Sequence, residues 1–230
     1  MRGPALSRLL SEKALKMITD KLKKIRTPGP PVGSRAVLFT ALAFLAGGTL
    51  GIFSKWLDEL ALDSSVWWHV ILERLDLNNF FSNLAIWLLA ALLIAVYSSS
   101  ALRAAWNVFA FFAGMCAAYH LYTILFAGFN PASYMMIWYG ITLVSPFLAV
   151  LCWYAGGKGP AAWILDIGII AVFALACFAI GIFYIDSRGI LYLAVFACAV
   201  ITLYRSPKQI CICLAAGFAL AFLASPFWMF

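Results

Sequence analysis

Residues 104–157 read AAWNVFAFFAGMCAAYHLYTILFAGFNPASYMMIWYGITLVSPFLAVLCWYAGG and contain no Lys, Arg, Asp or Glu. An α-helix rises 1.5 Å per residue, so about 20 apolar residues match a hydrocarbon core of about 30 Å. The Gly128-Phe129-Asn130-Pro131 breaker divides this run into two stretches of that length. Helices so apolar need a lipid environment, because one soluble core cannot bury a whole chain built this way. Working outward, the same pattern repeats at about 36–56, 80–97, 104–126, 134–155, 162–184, 189–204 and 210–228. The sequence therefore predicts an all-α fold, a polytopic membrane helix bundle with seven transmembrane helices.

Composition agrees. The chain has 230 residues, of which 65% are hydrophobic and 11% charged, with a mean hydropathy of +0.98; soluble domains carry roughly a quarter charged residues. Two regions follow: residues 1–35, a cytoplasmic amphipathic basic helix with a Pro-rich linker, and residues 36–230, the seven-helix membrane domain. The first apolar run begins too far from the N-terminus for a cleavable signal and reads as a retained span. Short linkers such as Ser98-Ser99-Ser100, Gly156-Gly157-Lys158-Gly159-Pro160 and Arg205-Ser206-Pro207-Lys208 make sequential helices antiparallel neighbours.

Nine of the sixteen basic residues precede position 36. Adding Arg103, Lys158, Arg205 and Lys208 puts thirteen on the N-terminal side of the bundle, against Lys55, Arg74 and Arg188 on the other. The positive-inside rule then predicts the N-terminus in and the C-terminus out. The net charge of +7 is accounted for by anionic lipid headgroups rather than nucleic acid, for which there is no motif. Residues 4–26 place Leu6, Leu9, Leu10, Ala14, Ile18, Leu22 and Ile25 on one stripe opposite five lysines, which suits a helix lying in the inner interface or docked on the bundle. Residues 64–76 form a second amphipathic helix that would cap the outer mouth. Trp56, Tyr97, Trp106, Trp138, Trp153, Tyr184 and Tyr204 fall near span ends, where aromatic rings sit at headgroup level.

Polar side chains at membrane depth are costly and so mark candidate sites. Asn83, Tyr119, His120, Tyr122, Thr123 and Tyr139 fall in the outer half of spans two to four and Ser145 near the middle of span four, and together they predict an outward-facing ligand cavity. His120 could take a proton or bind a ligand, or serve as a hydrogen-bonded strut between helices. Asp166, the only acid inside a span, is an ion-coupling candidate that could equally reach Lys158, Arg205 or Lys208. Lys55 and Asp58 read as an exposed or interfacial pair, or as the charged rim of the cavity. Pro146 should kink span four and free a carbonyl. Ala43, Gly47 and Gly51 form a small-residue face for tight helix packing and, secondarily, a dimer. Ser145-Pro146-Phe147 recurs as Ser225-Pro226-Phe227, a faint signal of a one-plus-three-plus-three inverted repeat.

Nothing in the sequence forms a catalytic, nucleotide-binding or metal motif, so no cofactor is expected and an enzyme is the weakest reading. The six cysteines read as apolar filler. Two functions stay open. One is a small permease or solute-binding membrane subunit, with a small-molecule substrate and a membrane partner subunit or homodimer. The other is a non-transporting assembly, sensor or immunity-type protein acting through protein or lipid contacts.

Three passages carry a resemblance: GTLGIFSKWLD at 48–58, NFFSNLAIWLLAALLIAVYSSSALRAAWNVF at 79–109 and SYMMIWYGITLVSPFLAVLCWYAGGKG at 133–159. Together they resemble a group of small multi-spanning membrane proteins of unknown function from Gram-positive bacteria. The resemblance implies a bacterial plasma-membrane setting and brings no activity with it.

Overall fold

The computed structural model describes residues 13, 16, 17, 19–30, 33–63 and 65–228. Leu6, Leu9, Leu10, Ala14 and Ile18 of the amphipathic stripe lie outside the described residues. Residues 19–25 are helical and lead to Arg26. The main helices are α1 (Arg35–Glu59), α2 (Trp67–Arg74), α3 (Leu77–Ser82), α4 (Leu84–Tyr97), α5 (Ala101–Tyr122), α6 (Ala132–Ala155), α7 (Pro160–Cys177), α8 (Ile190–Leu203) and α9 (Pro207–Ala224). A π-helical turn, Thr123–Ala127, extends α5, and a 3-10 turn, Ser225–Phe227, extends α9.

The fold is all-α, and five helical segments are long and apolar enough to cross a membrane: α1, α5 with its π turn, α6, α7, and α9 with its 3-10 turn. The remaining two expected spans are shorter than the hydropathy suggested. Helices α4 and α8 have 14 residues each, about 21 Å of rise against a core of about 30 Å.

The expected span 80–97 breaks at Asn83, whose backbone is extended (φ −91°, ψ 157°). The Asn83 amide donates to the Asn79 carbonyl at 2.8 Å, which offers the backbone a local alternative to the helix. The expected span 162–184 ends at Cys177 and gives way to a hairpin, with Phe178–Ile180 (β1) antiparallel to Ile185–Ser187 (β2). An apolar run alone does not distinguish strand from helix. The turn forms because Gly181 leaves room for the Tyr184 ring, which a Cβ would strike. Its tip exposes Ile182 and Phe183.

Two large clusters make up most of the core, beside a small third one of Ala171, Ala174, Leu175 and Ala221 between α7 and α9. One joins α1, α4, α5 and α6 through Trp87, Phe111, Phe112, Met115, Trp138 and Trp153. The other joins α3, α4, α7, α8 and α9 through Phe80, Leu92, Ile170, Phe173, Tyr192 and Leu203. Helix α4 belongs to both: Leu89, Leu92 and Val96 face one, Trp87 and Ala95 the other. That dual role explains a short helix apolar on all sides. Trp138 and Trp153, expected at the headgroup layer, are instead core residues, whereas Tyr97, Trp106, Tyr184 and Tyr204 are exposed as expected. Exposed Leu143, Phe147, Ile201 and Leu223 give the bundle the apolar exterior that lipid requires.

Glycine sets the closest helix contact. Gly47 and Gly51 of α1 lie directly against the carbonyls of Phe111 and Met115, and Gly114 of α5 lies against the carbonyl of Phe44. A Cβ on Gly51 would sit 2.6 Å from the Met115 oxygen. The small-residue face thus joins α1 to α5 backbone to backbone. The proposed halves of an inverted repeat differ in helix length (14, 22 and 24 residues against 18, 14 and 18). Both Ser-Pro-Phe triplets nevertheless make the same local bond: Ser145 Oγ donates to the Thr142 carbonyl at 2.8 Å, Ser225 Oγ to that of Phe222 at 2.9 Å. The carbonyl that Pro146 would free is therefore satisfied by its neighbour.

Gly47→Ala should lower the melting temperature in detergent, with a cost of about 1–3 kcal/mol for overpacking. Gly140→Ala, where nothing lies within 4 Å of the added Cβ, should leave it unchanged or raise it, since Ala is the better helix former by up to about 1 kcal/mol.

Candidate functional site

Polar groups gather at the two ends of the bundle. At the basic end, four chain segments converge on arginines. Helices α4 and α6 both terminate here, and the last carbonyls of each lack helical partners. Arg26 supplies them: one terminal nitrogen donates to the Trp153 carbonyl at 2.7 Å, the other to the Val96 carbonyl at 2.8 Å. Its guanidinium also lies 4.5 Å from the Trp153 ring centroid. A positive charge at a helix C-terminus is further favoured by the macrodipole. Burial, and secondarily the charge of Arg205, shift the Arg26 pKa down from its ordinary value; the group stays charged. The neighbouring backbone docks as well, with Lys158 N–H donating to the Ile25 carbonyl and Gly29 N–H to that of Ser99, both at 2.8 Å. Gly157 makes this possible, since a Cβ there would sit 2.5 Å from the Ile25 oxygen. Of the two placements the stripe allowed, this end of the segment is docked on the bundle.

Asp166 is fully buried on α7 and pairs with Arg205 at 2.7 Å. The same carboxylate oxygen, Oδ2, accepts from Gln209 Nε2 at 2.8 Å, and Arg205 also donates to the Ala155 carbonyl at the end of α6. Of the three basic partners open to Asp166, Arg205 is the one it takes. Its other oxygen, Oδ1, has no hydrogen-bond partner among the described residues. A third group surrounds Asn107. Its amide donates to Ser98 Oγ at 3.1 Å and accepts from Thr40 Oγ1 at 2.7 Å, and Ser98 presents its carbonyl to Trp153 Nε1 at 2.8 Å.

At the opposite end the sequence-derived candidates fall into separate groups. Tyr119 donates to Asp58 Oδ2 at 2.9 Å, and Ser82 donates to Oδ1 at 3.1 Å. Lys55 is buried and pairs with Glu59 at 3.1 Å, not with Asp58, correcting the pairing expected from spacing. Its ammonium lies over the Phe129 ring at 5.2 Å. His120 Nδ1 bonds the Tyr139 hydroxyl, and Nε2 bonds Asn130 Oδ1 at 2.9 Å. With Oδ1 as acceptor, Nε2 is a ring nitrogen that carries a proton. Thr123 is buried and donates to the Tyr119 carbonyl at 2.8 Å, while the Tyr122 ring packs at a tilt against Phe126 with centroids 4.7 Å apart. Asn83 lies apart from these, at the α3–α4 break. Ser145 lines a different space, an apolar recess of about 360 Å³ between α4, α5, α6 and α7. The structure thus brings His120 to Tyr139 and Tyr119 to Thr123, and leaves Asn83 and Ser145 elsewhere.

Sequence reasoning missed Arg26, Trp153, Arg103 and His69. His69 is buried and accepts from the Asp63 N–H at 2.9 Å, fastening the loop before α2. The Ser65 N–H donates to the Asp63 carboxylate at 2.9 Å and holds its pKa below the usual value. The Gly156-Gly157 pair beside an aromatic helix end was the available signal for docking at Arg26. All six cysteines are free thiols, three of them buried.

The five helices long and apolar enough to cross a membrane make this a predominantly helical integral membrane protein. No protein-family model, no curated protein and no solved structure matches the chain.

Arg205→Gln should destabilise the bundle by about 3–5 kcal/mol, because it strands the buried Asp166 carboxylate. The double change Asp166→Leu, Arg205→Leu should recover much of that loss in the same denaturation assay. A double variant as unstable as the single one would show that the pairing is not the source.

Proposed function

We propose that this protein acts through contacts with lipid and partner proteins, without passing a solute through itself. The observation that carries this reading is saturation. The polar side chains of the acidic end bond one another: His120 has two partners, Asp58 has two, and Lys55 has one carboxylate and an aromatic face. By contrast, two recesses with largely apolar walls border exposed side chains such as Phe39, Leu42, Leu148 and Ile164. The exposed Ile182–Phe183 hairpin tip and Trp67 of α2 add surfaces suited to a headgroup layer or a partner. The second reading, a small permease or solute-binding subunit, is favoured by the unpartnered Oδ1 of Asp166 beside the Pro146-bearing α6.

In this reading the chain crosses the bilayer seven times, with the basic end cytoplasmic and the C-terminus outside. Leu77–Ser82 and the hairpin lengthen the two short crossings. The resemblance noted above makes the setting a bacterial plasma membrane. Among acidic-end positions, Ser65→Cys and Ser133→Cys should react with a membrane-impermeant thiol reagent in intact cells, while Lys208→Cys should not. The exposed Cys198 and Cys211 are best changed to Ser beforehand. The reverse labelling pattern would overturn the orientation.

His120→Ala separates the two functions. As a strut it should cost about 0.6–2 kcal/mol, the range for hydrogen bonds between membrane helices, read as a lower melting temperature. Saturable uptake of a solute into proteoliposomes, abolished by His120→Ala at unchanged melting temperature, would establish transport instead.

A further inference from the structure

We propose that the groove between α1, α4 and α5 at the basic end binds one anionic phospholipid, with its phosphodiester on Arg103 and an acyl chain along α1. The groove has a volume of about 470 Å³. Its apolar walls are Phe39, Leu42, Ala46 and Ile94, and its mouth holds Tyr97, Ser99 and Arg103. From Ala36 to Ala46 is about 15 Å of helix, the depth of one leaflet of a core of about 30 Å. Phe39, Leu42 and Tyr97 are all exposed, so the groove opens sideways toward lipid.

Charge selects the occupant. Arg103 is half-buried in the first turn of α5. Its Nη2 is fixed by the Ala36 carbonyl and by Thr40 Oγ1, the latter at 2.6 Å. Its Nη1 and Nε make no hydrogen bond among the described residues, and no carboxylate of those residues lies within 4 Å of it. Arg205 and Lys55, in contrast, each have a carboxylate. A held guanidinium without a counter-ion at the membrane boundary is costly, and its free N–H groups match the oxygens of a phosphodiester. A free phosphate would use the arginine but leave the apolar walls unfilled. A zwitterionic phosphatidylcholine would fill the walls and bring a phosphodiester, but its choline cation offsets that charge beside Arg103. The anionic lipid satisfies both.

This inference deepens the lipid-contact reading and rests on it. The full chain, delipidated in neutral detergent, is titrated with dioleoyl phosphatidylglycerol or with dioleoyl phosphatidylcholine, and bound lipid is counted by native mass spectrometry. The wild type should hold one phosphatidylglycerol about tenfold more tightly than phosphatidylcholine, the size expected of a charge-assisted contact. Arg103→Gln should erase that preference. Ala46→Phe fills the groove from an exposed position, leaves the Arg103 bonds in place, and should weaken both lipids.

The N-terminal lysines are intact in both variants, so a preference surviving Arg103→Gln would assign it to them and overturn the site. Unchanged binding by Ala46→Phe, or equal protection by glycerol phosphate without acyl chains, would overturn it too. Those failures leave the contact reading standing, whereas solute uptake into proteoliposomes would remove that reading alone.

Discussion

Backbone carbonyls at the ends of membrane helices need partners where water is scarce, and this molecule meets the need with arginine. Arg26 takes one carbonyl in the last turn of α4 and one in the last turn of α6, and Arg205 takes that of Ala155 while paired with Asp166. Each guanidinium offers several donors from one charge, which a lysine would not. The two arginines repel one another, and Asp166 supplies the compensating charge beside Arg205. Through these bonds residues 25–29, α4, α6, α7 and the loop before α9 are fixed to one another. The apolar helices alone would leave their relative height in the membrane undetermined, since lipid is as apolar as their surfaces.

Between the ends, packing is set by size. Gly47, Gly51 and Gly114 bring α1 and α5 into backbone contact, and Gly217 admits Ile170 between α9 and α7 at 2.6 Å from where a Cβ would be. Helix α4 then needs no polar face, because both of its sides are covered by core. Dispersion in such close contacts replaces the hydrophobic drive that soluble bundles use. The acidic end is fastened differently, by Tyr119, Ser82, His120 and Asn130 reaching across loops. These bonds leave the polar residues engaged, and this is the physical basis for preferring contacts over conduction.

Three open features face outward: the Arg103 groove, the apolar recess beside Ser145, and the Ile182–Phe183 tip.

The sequence by itself determined the class and most helix positions. Uncharged 20-residue runs, the Gly-Phe-Asn-Pro and Gly-Gly-Lys-Gly-Pro breakers, and the Gly47–Gly51 spacing are local signals with direct physical meaning. The membrane helix bundle, its tight α1 contact and the basic and acidic ends were legible there. Tertiary structure decided where apolar runs stop being helix, because Asn83 and Gly181 act through neighbours that hydropathy does not register. It also decided the partners: Lys55 with Glu59 rather than Asp58, Asp166 with Arg205, and Trp153 as a buried docking platform rather than an interfacial ring. Composition fixes that a charge at depth must be compensated, but which residue compensates it depends on the fold: Asp166 meets Arg205 from 39 positions away. For Arg26, the partners are 70 and 127 positions away in the chain, a distance that only folding closes.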